Sequence, residues 1–199
     1  MKKNVFYFLG IILLMVSCYP DGPDYYEDLD VVYTNYTEDF NFSSKSTYAM
    51  PDNIVKVEGN LIEGEAPEFV EEPINSQLVV QIQSNMTAMG WTKVEDPLNA
   101  DLVLFPAVWT NTTIIYYYDY WCWYYPYYCG WGYYYPVSAT SYTTGTLIMA
   151  LVADGENYVE PSGVWYAAAN GIMTGEYNTS RVMKAVDQAF DQSPYLNTK

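Results

Sequence analysis

Three long β-rich runs in the middle of the chain limit its fold more than any other feature. Residues 100–118 read ADLVLFPAVWTNTTIIYYY, residues 139–154 read ATSYTTGTLIMALVAD, and residues 158–171 read YVEPSGVWYAAANG. Each is rich in β-branched and aromatic residues, the composition of a half-buried pleated surface. Asp154-Gly155 is a turn signal between the second and the third. Pro106 has no backbone N–H to give a sheet, so it predicts an edge position or a bulge in the first run.

Two segments follow the other period. Ile74, Leu78, Ile82, Met86 and Met89 recur at helical spacing between Pro73, suited to a first turn, and Gly90, suited to the position after a helix end. Asn178 is a candidate cap for a second helix with Val182, Ala185, Val186, Ala189 and Phe190 on one face, stopped by Pro194. Shorter strands are expected in 30–36, 46–50 and 91–94, residues 53–59 read as another short strand or an extended loop, and residues 58–72 read as an acidic loop broken by Gly64 and Pro67. Strands, helix, strand meander and helix in that order give an α+β domain. The expected architecture is two-layer, a mostly antiparallel sheet with both helices on one face.

The N-terminus carries an address. Lys2 and Lys3 precede an apolar run over 5–16, shorter than the roughly 20 residues of a membrane span, and LLMVSC ends it. This is the pattern of a secretory signal. Cys18 after the small Ser17 resembles a bacterial lipobox, which implies cleavage before Cys18 and lipid on its thiol and new amino group. An ordinary secretory signal with an incidental cysteine is the alternative. On the lipobox reading, residues 1–17 are a lipoprotein signal peptide. Residues 18–30, with YPDGPDYYEDLD and no apolar period, are an acidic tether, and 31–199 form one domain. Removing 1–17 takes away two lysines and no acid, so the net charge of −16 becomes −18. Such a chain repels nucleic acid and anionic headgroups, so membrane attachment is expected through the lipid, at the outer membrane.

Residues 116–136 read YYYDYWCWYYPYYCGWGYYYP, and 14 of these 21 residues are Tyr or Trp. Lying between two runs of the meander, they are expected to be a long hairpin loop. Cys122 and Cys129 bracket its centre. In an oxidising compartment they form a disulfide, and otherwise they remain two thiols. The loop is open to three readings: packing on the sheet, a low-complexity excursion, or a contact surface. Fourteen such rings exceed what one small core takes in, and large exposed apolar patches mark contacts. Tyr and Trp give wide contact area at low entropy cost. Trp121, Trp123, Tyr124, Tyr125, Tyr127, Tyr128 and Trp131 are therefore the candidate ligand-binding residues, for a glycan or an envelope protein. Insertion at a membrane interface or self-association is the rival use.

The chain has no histidine, which removes the usual nucleophilic triads and histidine metal sites. It contains no P-loop, dinucleotide glycine fingerprint or EF-hand loop. Carboxylate pairs could act as acid and base in a hydrolase, but Asp39, Asp101 and Asp154 fall at strand ends or turns, where capping is usual. No catalytic residue, metal or cofactor is expected.

The ordered blocks DFNFSSKSTYAM (39–50), GWTKV (90–94), NADLVLF (99–105), GTLIMALVAD (145–154), VWYAAANG (164–171) and RVMKAVDQAF (181–190) resemble those of the DUF4136 family of bacterial, Bacteroidetes-type lipoproteins. Met50 stands where that family commonly has an aromatic residue, and Ala167 where it often has glycine. The resemblance implies the fold and a lipid-anchored location. It brings no activity, cofactor or catalytic residue.

Overall fold

The computed structural model describes residues 31–58, 66–109, 117–126, 145–153, 162–173 and 178–199. The expected signal peptide, Cys18 and the tether lie outside these residues. Seven strands form one sheet: β1 (Val31–Tyr36), β2 (Thr47–Ala49), β3 (Val55–Val57), β4 (Thr92–Lys93), β5 (Leu102–Trp109), β6 (Thr146–Ala153) and β7 (Ser162–Asn170). Among the described residues three α-helices accompany it: α1 (Ile74–Ala88), α2 (Tyr117–Tyr124) and α3 (Thr179–Asp191).

The strand order is β1-β7-β6-β5-β2-β4, with β3 also on β5. The long strands form an antiparallel meander, in which Trp109 pairs with Thr146 and Met149 with Ala167. The short strands β2 and β3 join β5 in parallel. The fold is thus α+β with an open mixed sheet. The meander follows the three runs, with β5 over Leu102–Trp109 and β6 over Thr146–Ala153; residues 110–116 and 139–144 of the expected strands lie outside the described residues. Tyr117 and Tyr118, read as the end of a strand, are helical.

Pro106 corrects a second expectation. β5 is an interior strand, with β6 on one side and β2 and β3 on the other. β2 pairs with it only at Leu102 and Val103, and β3 only from Ala107 onward. Pro106 sits in the interval where that flank changes partner, which is where a missing donor does least harm. The irregularity lies elsewhere. The register shifts after Leu151, which pairs with Trp165, while Val152 pairs with Gly163. Val164 is left as the extra residue, and it turns to the same side of the sheet as Trp165.

That side holds α1 and α3. Leu78, Ile82 and Met86 of α1, with Val182, Ala185, Val186, Ala189 and Phe190 of α3, pack on Leu102, Leu104, Leu147, Met149 and Leu151. Each of these side chains larger than alanine contributes about 1.5–3 kcal/mol on burial. The Asn178 side chain caps α3, accepting from the Arg181 N–H at 3.2 Å. Asp187 Oδ1 ties the helices together, accepting from Gln81 Nε2 and, at 2.8 Å, from Asn85 Nδ2. The tail closes the layer. Trp165 Nε1 donates to Ser193 Oγ at 2.9 Å, Trp91 Nε1 to the Leu196 carbonyl at 2.8 Å, and Thr198 N to the Met89 carbonyl at 3.0 Å. Gly90 stands at φ 100°, and a Cβ there would come within 2.5 Å of Thr198 Oγ1. Glycine is required on both counts.

Candidate functional site: the aromatic cover of the second face

Side chains alternate along a strand. Leu102, Leu104 and Val108 face the helices, so Val103, Phe105, Ala107 and Trp109 face away from them. Ile148, Ala150 and Val152 of β6, Tyr166 and Ala168 of β7, and Val55 and Val57 of β3 join them in a second buried cluster. All eight residues of β5 and all eight of β6 are buried. The first part of the aromatic stretch supplies cover on this face. It does so as a helix, α2, with Tyr120 and the following Tyr125 buried against the strands.

This arrangement separates the candidate ligand-binding residues. Tyr125 is only 6% exposed, and its ring meets Phe105 edge-on at 6.1 Å. Tyr124 is half-buried between Phe105, at 5.6 Å, and Phe69, at 6.3 Å. Both rings serve chiefly to pack the sheet. Trp123 is 43% exposed, and its ring meets Phe69 at 6.4 Å and 63° and Tyr124 at 5.0 Å and 82°. Trp121 belongs to α2. Tyr127, Tyr128, Cys129 and Trp131 lie outside the described residues. Cys122 is half-buried beside the second cluster and is not a free group.

Tyr124 also connects this face to the sheet edge. Its hydroxyl donates to the Asn53 carbonyl at 3.2 Å. Burial, with the charge of nearby Asp52 added, pushes its pKa up to about 12. Asn53 Oδ1 accepts from Asn75 Nδ2 at 3.0 Å, and Asn75 Oδ1 accepts from the Ile54 N–H at 2.8 Å. Asn75 is buried at the start of α1, so these bonds satisfy a group that would otherwise be costly there. Asp52 pairs with Lys93 Nζ at 2.8 Å, and Lys93 lies 3.7 Å from Glu95. Sequence reasoning singled out neither Phe69 nor the Asp52, Asn53 and Lys93 group. Asp52-Asn53 follows Pro51 and reads as ordinary turn chemistry, and nothing in the residues pairs it with position 93.

The remaining polar features are structural. Asp101 Oδ2 accepts from the N–H groups of Ser46 and Thr47, each at 2.9 Å, and from Thr47 Oγ1 at 2.8 Å. Burial alone would raise the Asp101 pKa, but these bonds and the charge of Lys45 outweigh it and hold the pKa below the usual carboxylate value. This carboxylate fastens the start of β2 to the start of β5. Tyr48 is fully buried and its hydroxyl has no partner among the described residues; burial pushes its pKa up to about 12. Among the described residues no three Cys, Asp or Glu side chains gather as metal ligands. No helix among them is long and apolar enough to cross a membrane.

No curated protein matches the chain. A crystal structure of a DUF4136 family protein from Bacteroides thetaiotaomicron is similar at 30% identity and a TM-score of 0.65, over 85% of this chain and 98% of that one. The PelC dodecamer from Paraburkholderia phytofirmans resembles it at 13% identity and a TM-score of 0.41, over 85% of this chain and 99% of that one. The family described as a domain of unknown function, DUF4136, matches residues 32–195. Match, fold and ordered sequence blocks agree, and the chain belongs to the DUF4136 family.

Proposed function

We propose that the protein is a lipid-anchored component of the outer membrane that binds a partner, without catalysis, through the exposed margin of its aromatic cover. The observation that carries this reading is Trp123. It stands 43% exposed beside the buried Tyr125 and the half-buried Tyr124 and Phe69, and two edge contacts hold it in place. A held aromatic ring loses little entropy on binding. The lipid anchor rests on the signal pattern of residues 1–17 and on Cys18. A Cys122–Cys129 disulfide would restrain the segment that follows α2, and the engaged state of Cys122 supports it. The partner is a glycan or an envelope protein. The absence of catalysis is supported by Asp101, whose carboxylate is occupied by backbone and threonine hydrogen bonds.

The test is in-cell photocrosslinking from position 123, compared with position 80 on the exposed outer side of α1. A partner captured from 123 and not from 80, and lost in the full chain carrying Trp123→Ala, supports the reading. Equal capture from both positions would sink it. A second reading, assembly with another copy, is favoured by β1. This strand, VVYTNY, is outermost among the described residues, carries no charge or proline and exposes Val31 and Tyr33. Native edges are usually blunted by such residues. Sedimentation of the full chain in detergent separates the two, because only the second predicts mass that rises with concentration.

A further inference from the structure

Two partner classes share the reading above, and the groups around Tyr124 distinguish them. We propose that the sheet edge bordered by Trp123, Asp52 and Lys93 is a subsite for a neutral saccharide. This rests on the aromatic cover being a binding surface, and it goes further by naming the ligand chemistry and two polar residues.

A pyranose ring has a flat C–H face and a rim of hydroxyls that both donate and accept. Its site needs an open aromatic face and a donor beside an acceptor. Both of Trp123's ring contacts among the described residues are steep, at 63° and 82°, so neither Phe69 nor Tyr124 stacks flat on the indole. Asp52 and Lys93 place an acceptor and a donor 2.8 Å apart at the surface, with the Asp52 side chain 75% exposed. The two parts are joined by one residue. The Tyr124 ring packs on Trp123, while its hydroxyl is bound to the Asn53 carbonyl, next to Asp52. Phe69 ties the indole to the same edge, since it bridges to Val55 of β3. The site is therefore set before any ligand arrives, which lowers the ordering cost of binding.

Charge selects among ligands. The chain carries −16 overall, which opposes anionic polysaccharides and anionic lipid surfaces. A protein partner is disfavoured by area. A standard interface covers about 800 Å² per partner, whereas Trp123 is the large apolar side chain exposed at this margin among the described residues.

The test is calorimetric titration of the full chain in detergent with cellohexaose, maltohexaose and chitohexaose, and with oligogalacturonate as the anionic control. Trp123→Ala, Asp52→Asn and Lys93→Met are each titrated, with circular dichroism confirming the fold. Asp52 is exposed and Lys93 half-buried, and a pair open to water on one side adds little to stability, so the last two variants are expected to fold. The expected result is binding of a neutral hexasaccharide, abolished by Trp123→Ala and weakened about tenfold by either polar change. Binding of oligogalacturonate as strong as that of the neutral sugars, or affinity unchanged in Asp52→Asn and Lys93→Met, would overturn the proposal. If no saccharide binds while position 123 still captures an envelope protein, the saccharide inference fails and the binding reading stands. If neither occurs, both fail.

Discussion

The two faces of the sheet are built from different materials. The helix side is mainly aliphatic: α1 and α3 lay Leu, Ile, Val, Met and Ala on it, with Phe190, and the two are tied together by side-chain amides on Asp187. The other side is rich in rings, with Phe105, Trp109, Tyr120, Tyr125 and Tyr166 buried and Tyr124 and Phe69 at the border. Aliphatic packing leaves nothing for a ligand to hold. An aromatic layer carries polar tips and flat faces to its margin, and so a packing layer ends in a recognition surface.

The comparison is open to attack by mutation. The largest effect is expected from Trp165→Ala on the helix side, which removes a fully buried ring and its bond to Ser193. Denaturant unfolding should register a loss of about 3–5 kcal/mol, as one cooperative transition. Tyr125→Ala removes the corresponding anchor on the aromatic side and should cost about 2 kcal/mol. Hydrogen exchange should then accelerate in 117–124 and stay slow in α1 and α3. Uniform acceleration would mean that the aromatic cover is not a separable layer.

Asp101→Ala comes next. It should cost about 1–3 kcal/mol, since the carboxylate accepts several bonds from 46 and 47. Its pKa is lower folded than unfolded, so its stabilisation is complete above the ordinary value of 3.8. It disappears as pH falls through the depressed one. The wild type should lose this increment in acid, and the variant should have a flatter acid limb in thermal melts.

Alkali probes both faces at once. Tyr48 on the helix side and Tyr124 on the aromatic side have pKa values raised from 10.0 to about 12. The neutral phenols are favoured by the fold. Their contribution is full below pH 10 and is lost as pH rises toward 12. Ultraviolet titration of Tyr48→Phe and Tyr124→Phe should each remove one late-titrating phenol. Titration of either phenol at its ordinary value would contradict its burial. Trp123→Ala should have the smallest effect on stability, within about 0.5 kcal/mol; a loss several times larger would make Trp123 a packing residue and weaken its role as a contact.

The sequence was a better guide to one face than to the other, for a physical reason. The α1 side chains from Ile74 to Met86 stand out because the residues between them, Val79 and Val80 apart, are polar, and Pro73 and Gly90 mark the limits. The Asn178 cap and the five buried positions of α3 were legible in the same way. In α2 nearly every residue is aromatic, so Tyr120 and Tyr124, one helical turn apart, carry no contrast with their neighbours. Tyr and Trp also favour strands, and that local preference points the wrong way when the segment lies across a finished sheet. The seven candidate site residues shared one composition, so composition alone could not separate the buried Tyr125 from the exposed Trp123. Pro106 misled because one strand with two successive partners on the same flank looks, in sequence, like an edge.

The placement of the tryptophans gives the molecule its own optical reporters. Trp165 is sealed on the helix side, Trp109 on the aromatic side and Trp91 under the C-terminal tail, all with 2% exposure or less. These three should emit at short wavelength and resist a soluble quencher. Trp123 is reachable by acrylamide, so its removal should take away a quenchable, red-shifted share of the emission and leave the blue one. The share of light lost with Trp123 would then follow events at the margin, while the three buried indoles report, in a different colour, whether the sheet beneath remains intact.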